Sequence, residues 1–313
     1  CKSKRFLMLA AMVLAAACVA TFMVGSAVAA DTAAGISVKI GDAEAETVDS
    51  FAAAMEKVKA ADADAAKVIT LGEGTVSAAD VNTFRIETPN LTIAGAGVDK
   101  TVINTGDFAI SGQAGVLIAA DNVTVRDLAV VSNNPGASGA AIKVTKIGTA
   151  EELPAVKNVT IANVSVKTIE AGFGLNLHGV EGATVTNVTV ESSKKASVSI
   201  ASASDVEIDQ LTTGTNDWNC DIYFPYNAAN VAAYGKASEV TFGELTLANG
   251  VISSERTSDA TGGEDTLTFG EDFDMTTIYK GDGTYVIVDS ESEAVAGAIL
   301  NDRRLLCRYS ECH

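Results

Sequence analysis

A ten-residue repeat recurs along the chain, and it constrains the fold more than any other feature of the sequence. Its copies are DNVTVRDLAV at 121–130, KNVTIANVSV at 157–166, EGATVTNVTV at 181–190, SDVEIDQLTT at 204–213 and SEVTFGELTL at 238–247, preceded by a fainter copy, PNLTIAGAGV, at 89–98. Successive copies begin 23 to 36 residues apart. The shortest spacing is close to one turn of a β-solenoid, and the longer ones leave room for an added loop. The repeat therefore predicts a stack of similar β-strand units.

The apolar residues of the repeat fall at positions 3, 5, 8 and 10, with Thr213 as an exception in the fourth clear copy. Alternation by two indicates a strand with one buried face, whereas the gap of three between positions 5 and 8 requires a bend. Asn, Asp and Gly tolerate the left-handed backbone that a tight bend needs. Position 7, where we predict this bend, is occupied by Gly95, Asp127, Asn163, Asn187, Gln210 and Glu244.

A third strand is predicted between successive copies of the repeat. The apolar runs that indicate it lie at 115–119, 140–144, 174–177, 197–200 and 221–224. Three short strands, one tight bend and two variable loops per repeat make a triangular coil. The number of copies predicts about six or more rungs of this coil.

An amphipathic helix is predicted ahead of the coil, over residues 50–61. Phe51, Met55 and Val58 share one face at helical spacing, and Asp49 or Ser50 can serve as the N-cap. A solenoid exposes unpaired backbone at its first rung, so a helix there is expected as a cap. A strand over 67–76 is predicted to follow.

The repeat and its asparagine-rich bend resemble the pectin-lyase-like superfamily of right-handed parallel β-helices. The resemblance covers roughly residues 50–250 and rests on the repeat rather than on a complete catalytic motif. It implies an all-β fold, a right-handed parallel β-helix of three-strand coils with an N-terminal capping helix. In this superfamily the working groove generally runs along the outward face of the third strand, and a site is expected there.

The chain begins with the pattern of a secretory leader, which we assign to residues 1–30. Lys2, Lys4 and Arg5 precede an apolar run, and a small-residue site follows at 27–29. An uncleaved membrane anchor is the alternative, since the apolar run is long enough to span a bilayer. The leader predicts a secreted or cell-surface protein, with membrane attachment only through the leader or a lost anchor. The remaining boundaries are a linker at 31–49, a β-helix domain at 50–290 and an atypical C-terminal tail at 291–313.

The formal net charge of −18 limits the classes of partner. Such a surface repels nucleic acid, and none is predicted as a partner. Three cysteines follow the leader, too few to imply a disulfide framework. No metal site or other cofactor is predicted, because calcium would need a cluster of oxygen ligands that the sequence does not show.

The outward face of the third strand is the predicted groove. Alternation places on that face Leu117, Lys143, Asn176, Ser197, Ser199, Asp221 and Tyr223. Asp221 is its one carboxylate, whereas glycoside hydrolysis needs two. The segment 220–230 looks like the second aspartate segment of pectin methylesterases, but Ser197 and Ser199 stand where the partner aspartate is expected. We therefore predict no catalytic residue. A polysaccharide-active enzyme of the pectin lyase or esterase kind, using Asp221, is the alternative.

Aromatic residues are concentrated in the stretch 216–234 of a chain that is only 5% aromatic. Aromatic faces beside acidic and amide groups suit ligand recognition, in this setting a sugar. The alternative is that the rings only cover the side of the coil. The predicted ligand-binding set is Trp218, Tyr223, Tyr226, Asp217, Asp221, Asn176 and Lys143. The sequence thus favours a non-catalytic adhesin or carbohydrate-binding module with a polysaccharide or glycan as partner, and a purely structural surface rod is a third reading.

Overall fold

The computed structural model describes most of the chain between Gly35 and Phe269. It covers residues 35–107, 114–147, 154–226, 236–255 and 265–269, together with the backbone of two further strands at 285–288 and 304–308. The predicted leader lies outside these described residues. Within them, no helix has both the length and the apolar character needed to cross a membrane.

The described residues form one α-helix and two sheets. The helix α1 is Phe51–Ala60. The first sheet consists of β1 (Ser37–Ile40), β2 (Glu46–Thr47), β3 (Lys67–Thr70), β4 (Gly74–Ser77), β6 (Leu91–Ala94), β7 (Thr101–Gly106), β9 (Thr124–Ser132), β11 (Val156–Thr168), β13 (Val180–Ser193), β15 (Ser204–Asn216), β17 (Glu239–Thr246), β19 (Thr266–Phe269), β20 (Tyr285–Val288) and β21 (Arg304–Arg308). The second sheet consists of β5 (Arg85–Ile86), β8 (Ala114–Ile118), β10 (Ala140–Val144), β12 (Phe173–His178), β14 (Val198–Ala201), β16 (Ile222–Phe224) and β18 (Ile252–Ser254).

From β8 to β19 the chain alternates between the two sheets, and each strand pairs in parallel with the strand two places further on. The first sheet runs in the order β9-β11-β13-β15-β17-β19 and the second in the order β8-β10-β12-β14-β16-β18. Each copy of the repeat thus lies beside the next copy. The protein is all-β and mostly parallel, with two long open sheets, an arrangement compatible with a β-helix-like fold.

The core is built from the apolar positions of the repeat. Val123, Val125, Leu128 and Val130 of one copy are each at most 1% exposed, and the corresponding residues of the copies at 157–166, 181–190 and 204–213 are buried with them. In the last copy Leu245 and Leu247 are only partly buried. They pack against the inward residues of the second sheet, such as Ile142, in a single cluster. Period-two alternation therefore predicted the inner face of the first sheet correctly.

The bend at position 7 occurs within a continuous strand rather than between two short strands. Strands β9, β11 and β13 run through a left-handed residue at this position: Asp127, Asn163 and Asn187 have φ of 50 to 58°. A residue that tolerates the left-handed region can bend the strand at this position, and pairing with the neighbouring strands continues before and after the bend. The expected left-handed residue is absent at Gly95, Gln210 and Glu244, which do not have positive φ.

A second left-handed position, which sequence reasoning missed, is position 2 of the repeat. It includes Asn90, Asn122 and Asn158, with Gly182 in the next copy. At both positions the side chains hydrogen-bond along the stack. The Nδ2 of Asn122 donates to Asn90 Oδ1 and that of Asn158 to Asn122 Oδ1, each at 2.9 Å. These amide ladders satisfy side-chain groups while joining successive repeats.

Replacement of Asn163 by alanine is expected to lower the free energy of unfolding by about 1 to 2 kcal/mol, because alanine disfavours the left-handed region. The variant also loses two ladder bonds, from Asn163 Nδ2 to Asp127 Oδ1 at 2.9 Å and from Asn187 Nδ2 to Asn163 Oδ1 at 2.8 Å. Urea denaturation followed by circular dichroism measures the loss. Asn163→Gly removes the same bonds but accepts the backbone, so it should be more stable than Asn163→Ala. Equal stability of the two variants would contradict the backbone argument.

The N-terminal helix forms as predicted. Ser50 is its N-cap, with the hydroxyl accepting a hydrogen bond from the backbone N of Ala53. Phe51, Met55 and Val58 are buried in the main core. Two antiparallel strands, β1 and β2, continue the first sheet at this end. The predicted strand at 67–76 is interrupted, because β3 ends at Thr70 and β4 begins at Gly74.

At the other end of the first sheet the strand direction reverses. Strand β21 lies within the segment assigned to the C-terminal tail, and it pairs antiparallel with both β19 and β20. The tail segment therefore contributes backbone to the sheet.

Candidate functional site

The outward side of the second sheet carries one row of residues in exact register. The row consists of Leu117, Lys143, Asn176, Ser199, Tyr223 and Ser253, one from each consecutive strand. Sequence alternation placed the first five of these residues correctly. It did not predict their burial: every member of the row is at most 8% exposed. The expectation that Lys143, Asn176 and Tyr223 line an open groove is therefore wrong.

Asp221 and Ser197 do not belong to this row. The backbone N of Asp221 and that of Ile222 both donate to the carbonyl of Val251, and a matching irregularity involves Gly174 and Leu175 with Ser197. Two consecutive residues at such a bulge share one partner, so strict alternation is broken. The Asp221 side chain consequently turns toward the first sheet, contrary to the outward orientation expected from sequence.

The Asp221 carboxylate is fully buried at 0% exposure and accepts four hydrogen bonds. One comes from the Thr213 hydroxyl at 2.6 Å, two from the backbone N and side-chain Nδ2 of Asn249 at 3.0 and 3.2 Å, and one from the backbone N of Val251 at 3.1 Å. Thr213, the exception to the apolar pattern, is thus a partner of Asp221. This carboxylate is a structural junction between the two sheets and the segment 247–251.

An aromatic cluster of Phe173, Trp218 and Tyr223 adjoins the row, which contributes Tyr223. Trp218 meets Phe173 edge to face at 5.5 Å between ring centroids and Tyr223 edge to face at 5.3 Å, while Phe173 and Tyr223 stack at 6.2 Å. The Nζ of Lys195 lies 4.7 Å from the Trp218 centroid and 5.1 Å from that of Phe173. Phe173 and Tyr223 are buried, whereas Trp218 is only half-buried.

The rim around Trp218 is polar and solvent-exposed. Asp217 and Asn219 flank it in the chain and are both exposed, and the carboxylate of Asp217 pairs with Lys194 at 3.3 Å. Partial burial lowers the pKa of Lys195. Tyr226 lies just beyond β16, half-buried, with its backbone N donating to Glu255 at 3.1 Å. Trp218 and Asp217 are the predicted ligand-binding residues that the structure brings together at an accessible surface.

A group of polar side chains, three of them from the row, is buried on the outward side of the second sheet. It consists of Lys143, Asn176, His178 and Ser199, which we call the buried polar cluster. His178 Nε2 lies 3.0 Å from the Ser199 hydroxyl. Burial lowers the pKa of Lys143 to about 8. Burial first, and the nearby Lys143 charge second, hold the pKa of His178 well below its usual range.

Sequence reasoning did not include His178 among the candidate site residues and missed the buried polar cluster. Asn176 and His178 are two residues apart on β12, so they share a face, and Ser199 pairs with Asn176 on the next strand. The two-residue spacing of Asn176 and His178 was the sequence signal that could have predicted this cluster. Among the residues described, no three His, Cys, Asp or Glu side chains are grouped so as to hold a metal ion.

Comparison of the chain with protein-family profiles, with curated proteins and with solved structures gives no match.

Proposed function

We propose that this chain is a secreted or cell-surface right-handed parallel β-helix protein that binds a glycan without catalysing a reaction. The alternation of consecutive parallel strands between two sheets supports a β-helix of the pectin-lyase-like kind. The leader pattern at the start of the sequence supports the location. The glycan is proposed to bind at Trp218.

The half-exposed ring of Trp218 is the observation that carries this proposal. Edge contacts from Phe173 and Tyr223 hold the ring on the side of a rigid sheet, so little side-chain entropy is lost when a ligand binds. An aromatic face supplies apolar contact, and the exposed carboxylate and amide of Asp217 and Asn219 can hydrogen-bond hydroxyl groups beside it. This combination suits the mixed apolar and polar surface of a sugar.

The charge of the chain as a whole favours a neutral glycan over a polyanionic one. Lys194 and Asp217 form an ion pair at the rim around Trp218, which leaves Lys195 as the nearby cation. The chain as a whole carries a formal charge of −18, which disfavours a polyanionic polysaccharide through long-range repulsion.

The burial of Asp221 weighs against the polysaccharide-active enzyme. Hydrolysis of a glycosidic bond needs two carboxyl groups that flank the substrate. Asp221 is inaccessible, and its oxygens are occupied by Thr213, Asn249 and Val251. Tyr223 supports the aromatic cluster from within, while Lys143 and Asn176 are buried.

Binding is tested through Trp218, the only tryptophan in the chain. A glycan array identifies candidate ligands, and titration of the soluble sugar should then change the intrinsic fluorescence of this single ring. Trp218→Ala is expected to weaken binding by about tenfold or more, equivalent to about 1.4 kcal/mol of lost contact. Ile169→Ala, which truncates another exposed apolar side chain, should leave affinity unchanged. An array signal that survives Trp218→Ala at full strength would overturn the proposed site.

A further inference from the structure

Lys143 and Asn176 are directly paired on neighbouring strands. They are register partners in the parallel pairing of β10 with β12, and both lie on the outward side of the second sheet. Neighbouring strands are about 4.8 Å apart, so the four-carbon stem of a lysine easily reaches the side chain of its partner. Both side chains are buried, Lys143 at 3% and Asn176 at 0% exposure.

The side-chain amide of Asn176 has no hydrogen bond at either its nitrogen or its oxygen. Burying an amide without hydrogen bonds is unfavourable, because the group loses its bonds to water and gains none in the protein. Folded proteins retain few such groups, and those they retain call for a specific explanation. One such explanation is that the amide is a reactant. Its carbonyl carbon is attacked and its nitrogen leaves.

The surroundings of this amide favour attack by an amine. Burial lowers the pKa of Lys143 to about 8, so near neutral pH its side chain is a neutral nucleophile more often than that of an exposed lysine. His178 lies two residues beyond Asn176 on the same face, close enough to Lys143 for the lysine charge to contribute to its lowered pKa. A neutral imidazole can accept and return a proton.

We propose that Lys143 and Asn176 form an intramolecular isopeptide bond. The lone pair of Lys143 Nζ attacks Asn176 Cγ, the bond from Cγ to Nδ2 breaks, and one amide bond replaces another. His178 takes a proton from Nζ and delivers it to Nδ2, which leaves as ammonia. The step needs no oxidant, reductant or further reactant.

The bond would join two consecutive repeats covalently across 32 intervening residues. A cross-link of this kind limits the unfolded chain in the way that a disulfide does. The inference is independent of glycan binding at Trp218 and can fail or hold without it.

Intact-protein mass spectrometry of the folded full chain tests the proposal. The wild type should be lighter than its sequence mass by one ammonia. After tryptic digestion, the peptide 127–146 should be found covalently joined to the peptide 168–194, because cleavage after Lys143 is blocked. Folded protein with the full sequence mass and no joined peptide would overturn the proposal.

Three variants separate this bond from other causes of the mass change. Lys143→Met and Asn176→Leu should each restore the full expected mass and abolish the joined peptide, whereas Lys194→Met, which removes an exposed lysine, should keep the deficit. Cyclisation of an asparagine alone also releases ammonia, but it would persist in Lys143→Met. His178→Ala should accumulate the joined peptide more slowly than wild type. Circular dichroism confirms that each variant is folded before its mass is interpreted.

Discussion

Replacement of Asp221 by alanine is expected to reduce the free energy of unfolding by about 3 to 4 kcal/mol, since each buried polar group left without its partner costs about 1 to 3 kcal/mol. The change would leave the Thr213 hydroxyl, the Val251 backbone N and the donors of Asn249 without their acceptor. Urea denaturation monitored by far-ultraviolet circular dichroism measures the loss. We expect this loss of stability in the absence of any ligand, because all the hydrogen bonds of the carboxylate are made within the protein.

Asp217→Ala is the matched control, four residues away in the chain. Asp217 is exposed and makes a surface ion pair with Lys194, which is worth at most about 1 kcal/mol. If Asp221→Ala proved no less stable than Asp217→Ala, the buried junction would be dispensable, and a ligand-directed role for this carboxylate would regain support. Thr213→Val tests the same junction from its other side and should lose part of the same energy.

Gly214→Ala is expected to destabilise the protein by about 3 kcal/mol, at the upper end of the usual cost of overpacking. A Cβ on Gly214 would lie 2.0 Å from the carbonyl oxygen of Glu191, which belongs to the backbone of the neighbouring strand. Backbone cannot move aside as a flexible side chain can, so β13 and β15 would have to separate locally. The loss is measured by urea denaturation.

Gly106 provides the contrasting site. Its φ is +55°, and nothing lies within 4 Å of an added Cβ, so alanine there meets only the conformational penalty of about 1 to 2 kcal/mol. Asparagine should recover part of that penalty at Gly106, because it tolerates left-handed backbone, but should recover nothing at Gly214. Equal losses for alanine and asparagine at Gly106 would contradict this distinction.

The local pattern was enough to locate five of the seven strands of the second sheet, from β8 to β16, to within a residue at each end, but it did not predict β5 or β18. The run at 140–144 coincides with β10, and those at 115–119 and 174–177 differ from β8 and β12 by one residue at each end. Apolar alternation determines which face is buried, and that preference is a property of consecutive residues. The same reasoning located the helix, and the structure identifies Ser50 rather than Asp49 as its N-cap.

The direction of Asp221 could not be obtained in this way. It depends on a bulge in which two consecutive amides share the carbonyl of Val251, thirty residues further along the chain. The burial of Lys143 and Asn176 could not be predicted from the sequence either. Alternation indicates which side of a sheet a residue occupies, but it does not indicate whether that side is covered by other parts of the protein. The aromatic stretch pointed to Trp218, but its partner Phe173 comes from another strand.

The sequence by itself determined that the chain forms stacked β-strand units with a repeated apolar face and a left-handed bend at Asp127, Asn163 and Asn187. Those features arise between neighbours in the chain, where period and backbone preference act directly. Only the tertiary structure decided which polar groups meet. The Asp221 junction, the Trp218 cluster and the pairing of Lys143 with Asn176 all join residues from different parts of the chain, and their environment is set by pairing register and burial.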